Sequence, residues 1–343
     1  MEDDCQLTHL SGDGLDIGNF LKEDLNMLYQ GINIVVLKAL LEVLLLIGIG
    51  FLIRRLNLIS SSGVQAIARL LLYVCLPSLI FYSFLTYLNR DNLWNCGIFL
   101  LASFGIFGLG FVLAKIFYSL VVRNSDVKRE FVLLTAFQNS GYLPLALISG
   151  IFSPSLKGMG YLYIFSYLIG FNLIMLSFGF YYMKKTHHRV GFKELLPFPF
   201  IVSIISVFLA LIGMRNHVPD FLLDSLRKLG EATIPLGMIV VGLLLAQGKL
   251  VSRNYIKPTV LLIALRLLLL PLIVGAVLYF LKLPKFISFL IFLEAAMPSA
   301  TTLSLIASDR NANVEFVSQG ILYTHIFLIV SLPVLLMVFR QYG

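Results

Sequence analysis

Charge is the scarcest commodity in this sequence. Of 343 residues only 13% are Asp, Glu, Lys or Arg, about half the share that a soluble globular domain carries. With 59% hydrophobic residues and a mean hydropathy of +0.92, there is more apolar surface than one aqueous core can hide. That shortage excludes a soluble enzyme and a disordered chain. Cysteine is scarce as well. Cys5, Cys75 and Cys96 have no CxxC spacing, so neither a disulfide framework nor a metal site is expected. No Lys/Arg block is long enough to follow a phosphate backbone. The net charge of +8 is therefore no sign of a nucleic-acid partner, and in so apolar a chain it marks basic cytoplasmic loops. Catalytic signatures are missing too: there is no HExxH, no GxSxG, no Walker-type GxxxxGKS or GxxxxGKT, and no pair of intramembrane aspartates. Neither an enzyme nor a cofactor is expected.

What the chain has in quantity is long apolar runs. They lie near 35–53, 64–88, 97–121, 131–153, 160–183, 200–214, 229–247, 259–281, 286–307 and 314–339, and about 20 apolar residues suffice to cross a bilayer. The expected fold class is an all-α polytopic membrane protein of about ten spans, with the lipid bilayer as its first partner. Residues 1–34 hold Glu2, Asp3, Asp4, Asp13, Asp16, Glu23 and Asp24 against a single Lys22. Without a charged start followed by an apolar core they are not a cleaved signal peptide, and they are expected to form an acidic non-cytoplasmic tail. With the N-terminus outside, the inner loops gather the larger share of basic residues, among them Arg54, Arg55, Lys184, Lys185 and Arg189. Both termini are thus expected outside, in a plasma (cell inner) membrane. The chain stops soon after its last apolar run, so no signalling output domain is expected. The longest inner linker, 184–199 (KKTHHRVGFKELLPFP), separates a first half, 35–183, from a second, 200–339.

The halves share their punctuation. Leu76-Pro77 in the second run matches Ile234-Pro235 in the seventh, and Pro144 in the fourth matches Pro298 in the ninth. Proline removes a backbone hydrogen bond and frees carbonyls, which inside a membrane survive only against protein or a water-filled cavity. Since five is odd, the second half must cross the membrane inverted with respect to the first. Inverted repeats with paired broken helices point to a secondary transporter whose site lies near the midplane.

The fourth run carries Gln138, Asn139, Ser140 and Gly141 just before Pro144; the ninth carries Glu294, Pro298, Ser299, Thr301 and Thr302. Amides and hydroxyls bind either backbone or ligand. Where two half-helices begin at one point, their free N–H groups favour an anion. The bland alternative is that these polar groups only satisfy kinks. Glu294, an acid deep in a span, is the candidate site of a coupling ion, a proton or a sodium. Its alternative is a neutral carboxyl bonded between helices. Arg266, with Arg69 and Lys115, falls near a predicted cytoplasmic helix end, where snorkelling explains it; attracting an anion is its second reading. His325 is either structural or a proton relay. Gly105, Gly108 and Gly110 allow close packing or sliding of the third span.

LPSLIFYS, NSGYLPLAL, LGEATIPLGMIVVGLLLAQG and EAAMPSATTLSLIAS, in the second, fourth, seventh and ninth runs, resemble the auxin efflux carrier family, which includes plant PIN-type auxin exporters and bacterial permeases for malate and related acids. The resemblance runs from about Val35 to Phe339. Gln138 departs from it, standing where a small residue is expected before Asn139. The family implies a scaffold of spans one, two, six and seven, and a transport domain of spans three to five and eight to ten. The scaffold forms a homodimer, and the transport domain moves like an elevator. Spans four and nine cross at the site of a small organic anion, with Asn139 and Pro144 on one and Pro298 on the other. The expected function is secondary transport of such an anion; the alternative is a transporter-like sensor that binds a ligand without moving it.

Overall fold

A computed structural model describes residues 17–122, 127–183, 198–246, 253–309 and 312–342. Within them the chain is helical, and seven helices are long and apolar enough to cross a membrane. The first, α1 (Ile17–Arg55), starts well before the first apolar run, so the second half of the acidic segment is continuous with the first span. Residues 1–16 and most of the 184–199 linker lie outside the described residues. Then follow α2 (Ser61–Tyr87), α3 (Leu93–Val121), α4 (Lys128–Ala136), α5 (Tyr142–Ile151) and α6 (Pro154–Ile174). The second half of the chain forms α7 (Phe198–Leu211), α8 (Asp220–Leu245), α9 (Arg253–Leu281), α10 (Lys285–Ala296), α11 (Thr302–Asp309) and α12 (Val314–Tyr342). The apolar helices α5 and α7 fall short of a span's length.

Not every proline interrupts its helix. Pro77 was expected to break α2, yet that helix runs on; in α8 a single turn residue, Ala232, interrupts the helix just ahead of Pro235. Ahead of Pro77 the chain widens into one π-helical turn, Leu71–Cys75. Such a turn makes room for a ring that lacks an N–H and would collide with the preceding carbonyls. Pro235 follows a turn at Ala232 and sits third in the segment Thr233–Leu245, where a helical N–H has no intrahelical partner to lose. The same device recurs in α9, where the π turn Leu265–Leu269 precedes Pro271.

Two packing groups emerge. In one, α1 lies along α8, and α2 packs on α7 and α8. The α1–α8 crossing is made by glycines: a Cβ on Gly242 would stand 2.0 Å from the Ile47 carbonyl oxygen, and one on Gly50 2.1 Å from that of Ile239. In the other group α3 packs on α4 and α6, while α9 packs on α10 and α12. Of the four glycines of α3, only Gly110 makes a close approach, with its Cβ position 2.9 Å from Ala136 Cα; Gly97, Gly105 and Gly108 face open space. The outward faces are apolar, as lipid contact requires: Leu41, Leu45 and Leu52 of α1, and Leu101 and Leu120 of α3, are exposed.

Candidate functional site at the crossing of two interrupted helices

The fourth apolar run is two helices, α4 and α5, parted by residues 137–141; the ninth is likewise α10 and α11, parted by 297–301. Local chemistry explains both interruptions. Asn, Ser and Gly are weak helix formers, and Asn and Ser side chains compete for backbone groups. A proline disfavours the helical conformation of the residue before it; Met297, ahead of Pro298, is extended at φ −67° and ψ 150°.

The two unwound segments satisfy each other. Gln138 and Ser299 face one another as a single antiparallel bridge. The Asn139 N–H donates to the Pro298 carbonyl at 2.8 Å, and the Ala300 N–H donates to the Phe137 carbonyl at 3.0 Å. Exposed backbone in a membrane requires such pairing. The contact brings residues about 160 positions apart to one place.

Carbonyls left over at the ends of α4 and α10 find side chains. Arg266, in the π turn of α9, is fully buried. Its Nε donates to the Met297 carbonyl at 2.9 Å, Nη1 to that of Thr135 at 3.3 Å and Nη2 to that of Ala295 at 3.1 Å. Ser299 Oγ donates to the Leu134 carbonyl at 2.7 Å, and the Ser299 N–H donates to Thr324 Oγ1 at 3.2 Å. Snorkelling is therefore not the role of Arg266. It lies 13 residues into α9, about 20 Å along the helix from its start at 1.5 Å per residue, whereas Arg69 and Lys115 are exposed as expected.

His325 belongs to the same place. Its Nδ1 lies 2.8 Å from the Ile321 carbonyl, which can only accept, so Nδ1 carries the proton. In the neutral ring Nε2 then accepts from Asn139 Nδ2 at 3.2 Å. Gln138 turns elsewhere: its amide donates to the Tyr167 hydroxyl of α6, so the residue that departs from the family pattern is held against a neighbouring span. Phe137 lies between Phe107, tilted to it with ring centroids 4.8 Å apart, and Phe171, edge-on at 5.5 Å.

Glu294, in the last turn of α10, is fully buried and neither carboxyl oxygen has a hydrogen-bond partner. Ser140, whose hydroxyl is also unpartnered, Arg266 and Tyr167 are its polar neighbours. Access is graded across the crossing. Arg266, Glu294, Gln138, Ser140 and Ser299 are at most 1% exposed, Asn139 5%, His325 6% and Thr301 7%. Gly141 and Tyr142, where α5 begins, are half-buried, and Thr302, where α11 begins, is exposed. No side chain caps the start of α5, which leaves its first N–H groups open to a ligand.

A family model described as "Membrane transport protein" matches residues 35–192 and 182–336, nearly the whole chain. The chain belongs to that family, the auxin efflux carriers. Among its relatives is an uncharacterized transporter of Methanothermobacter thermautotrophicus, 27% identical over 305 residues, which are 86% of this chain and 96% of that one. Protein PIN-LIKES 2 of Arabidopsis thaliana is 31% identical over 162 residues, 43% of this chain and 35% of its own length. An uncharacterized transporter of Methanocaldococcus jannaschii is 26% identical over 218 residues, or 61% of this chain and 68% of that protein. This auxin efflux carrier family member is a multi-pass integral membrane transporter and not an enzyme.

Within it, Gln138, Asn139, Ser140, Pro298, Ser299, Arg266, Glu294 and His325 meet at the crossing, with Gly141 and Thr301 at its edge. Pro144 does not; it is the third residue of α5. Sequence reasoning missed Tyr167, Thr324 and the carbonyl of Thr135. Tyr167 is one aromatic residue among many in an apolar run and carried no signal. Thr324, a hydroxyl beside His325 in an apolar span, was the one visible hint.

Proposed function

We propose that this transporter is a secondary carrier for a small organic anion, a carboxylate, bound at the crossing of its two interrupted helices. One observation carries the reading: α5 and α11 both begin at the hydrogen-bonded crossing, α5 without a side-chain cap, and Asn139 and Thr301 stand beside these starts. Free N–H groups at helix starts, reinforced by the helix dipole, select negative charge.

Glu294 is the coupling site in this reading. A buried carboxylate with two unsatisfied oxygens is costly until a cation or proton completes it, and Ser140 stands next to it to share in binding. His325, tied to Asn139, links the state of the unwound segment to α12. Two packing groups of helices, α1, α2, α7 and α8 against the remainder, support a scaffold and a moving transport domain working by alternating access. Counting each interrupted helix as one span and including α7 gives ten spans in two inverted sets of five. The family match, which falls into two stretches meeting at 182–192, supports that division. A homodimer through the scaffold and outward-facing termini in the plasma membrane complete the proposal.

The test is thermal-shift screening of purified protein against carboxylates, amino acids and indole acids, with and without sodium. Anions are expected to stabilise it selectively. Selective stabilisation by apolar or cationic ligands, and by no anion, contradicts the reading. For Glu294, uptake into proteoliposomes by Glu294→Gln is expected to lose its dependence on the coupling gradient; an unchanged response to both pH and sodium gradients removes that role.

A further inference from the structure

An arginine buried in the middle of a membrane span calls for a reason, and here the reason is a pair of helix ends. Each interrupted helix stops with carbonyls that have no intrahelical partner and with the partial negative charge of a C-terminus. Arg266 meets both: Thr135 belongs to the last turn of α4, and Ala295 and Met297 to the end of α10. Its fork offers donors in fixed directions, which a lysine ammonium on a flexible stem does not reproduce. The π turn Leu265–Leu269, which makes room for Pro271, also contains Arg266.

We infer that Arg266 is a positioning residue that clamps the carbonyl ends of both interrupted helices into one unit, so that the starts of α5 and α11 stay aimed at one point. The guanidinium thereby serves the protein's own backbone, and recognition of the substrate's charge falls to the N–H groups and Asn139. This rests on the anion-site reading for its consequence in transport, while the clamp itself does not depend on it.

Hydrogen exchange, measured by mass spectrometry on the full chain in lipid nanodiscs, tests the clamp directly. In Arg266→Gln the amides of 137–141 and of 297–301 are expected to exchange about ten- to a hundredfold faster, both together. The α1–α8 pair should stay protected. Arg266→Lys is expected to fall between wild type and Arg266→Gln, and it carries the test alone if Arg266→Gln does not fold. Acceleration in only one of the two segments, or Arg266→Lys matching wild type, overturns the inference.

A transport readout separates clamping from charge recognition. Proteoliposomes are given radiolabelled malate and indole-3-acetate, with the corresponding amides as neutral counterparts. Arg266→Gln is expected to lower the maximal rate several-fold while keeping wild type's preference for acid over amide. Loss of that preference shows the guanidinium contacting substrate and overturns the positioning role. If wild type discriminates no acid from its amide, the anion reading fails while the exchange result still decides the clamp.

Discussion

The two interrupted helices do the same geometric job with different chemistry. In the first, the break carries side chains: Gln138 bonds Tyr167, and Asn139 bonds His325. In the second, the break and the helix end before it act as a brace: Pro298 offers its carbonyl to Asn139, Ser299 Oγ reaches the end of α4, and Arg266 holds the carbonyls of Met297 and of Ala295 in the last turn of α10. Their prolines differ too. Pro298 lies inside its unwound segment, whereas Pro144 lies in the helix that follows. On the proposed anion-site reading the two segments divide the labour: the first meets the ligand and the second braces it.

The largest expected effect tests that division. Asn139→Leu should lower uptake about 100-fold, the scale of a lost polar contact in a buried site. The backbone bond from residue 139 to Pro298 persists, so the variant should still fold. Thr301→Val, at the edge of the bracing segment, should cost no more than about threefold on the same scale. Uptake that falls further in Thr301→Val than in Asn139→Leu would reverse the assignment.

Next come the helices behind each break. A Cβ at Gly110 meets backbone, Ala136 Cα at 2.9 Å and the Thr135 oxygen at 3.0 Å, while one at Gly275 meets ring edges, of Phe292 at 3.1 Å and Phe339 at 3.9 Å. Gly110→Ala should therefore destabilise by about 1–3 kcal/mol, lowering the melting temperature in detergent by several degrees. A ring can shift where backbone cannot, so Gly275→Ala should cost less than about 1 kcal/mol. Equal losses would mean that the two breaks are buttressed alike.

The paired serines separate the segments more finely. Ser299→Ala leaves the Leu134 carbonyl without its donor and should cost about 1–2 kcal/mol in thermal unfolding. Ser140→Ala removes a hydroxyl that has no partner and should leave the apo protein's stability unchanged, while weakening the coupling-ion response if that hydroxyl joins Glu294 in binding. A stability loss in Ser140→Ala matching that of Ser299→Ala would refute the distinction.

The smallest effect concerns the prolines. Pro298→Ala frees a backbone that proline holds extended and should cost about 0.4–1 kcal/mol. Pro144→Ala, in the first turn of a helix, should stay within about 0.5 kcal/mol of wild type. Melting curves recorded side by side decide it.

Much of this site was legible before any coordinates. The cluster from Gln138 to Gly141 and the pair Pro298-Ser299 stand out because polar and helix-breaking residues are conspicuous in an apolar run. Their register was not legible. Matching Pro144 with Pro298 implies an offset of 154 residues, whereas the unwound segments 137–141 and 297–301 are offset by 160. A proline marks where a helix cannot continue unchanged, but whether it sits in the gap, after it, or beside a π turn depends on which neighbours take up the freed carbonyls.

By itself the sequence determined the solvent and the places where two apolar runs must fail as helices, because hydropathy, proline and weak helix formers act locally. It also pointed to Glu294, since a lone acid is costly wherever lipid surrounds it. Only the tertiary structure decided that the two failures pair with each other, that Arg266 ends among their carbonyls and not at a membrane surface, and that His325 meets Asn139 across 186 residues of chain. Those outcomes belong to contacts between distant spans, where the need to satisfy every buried backbone group chooses the partners and no local pattern records the choice.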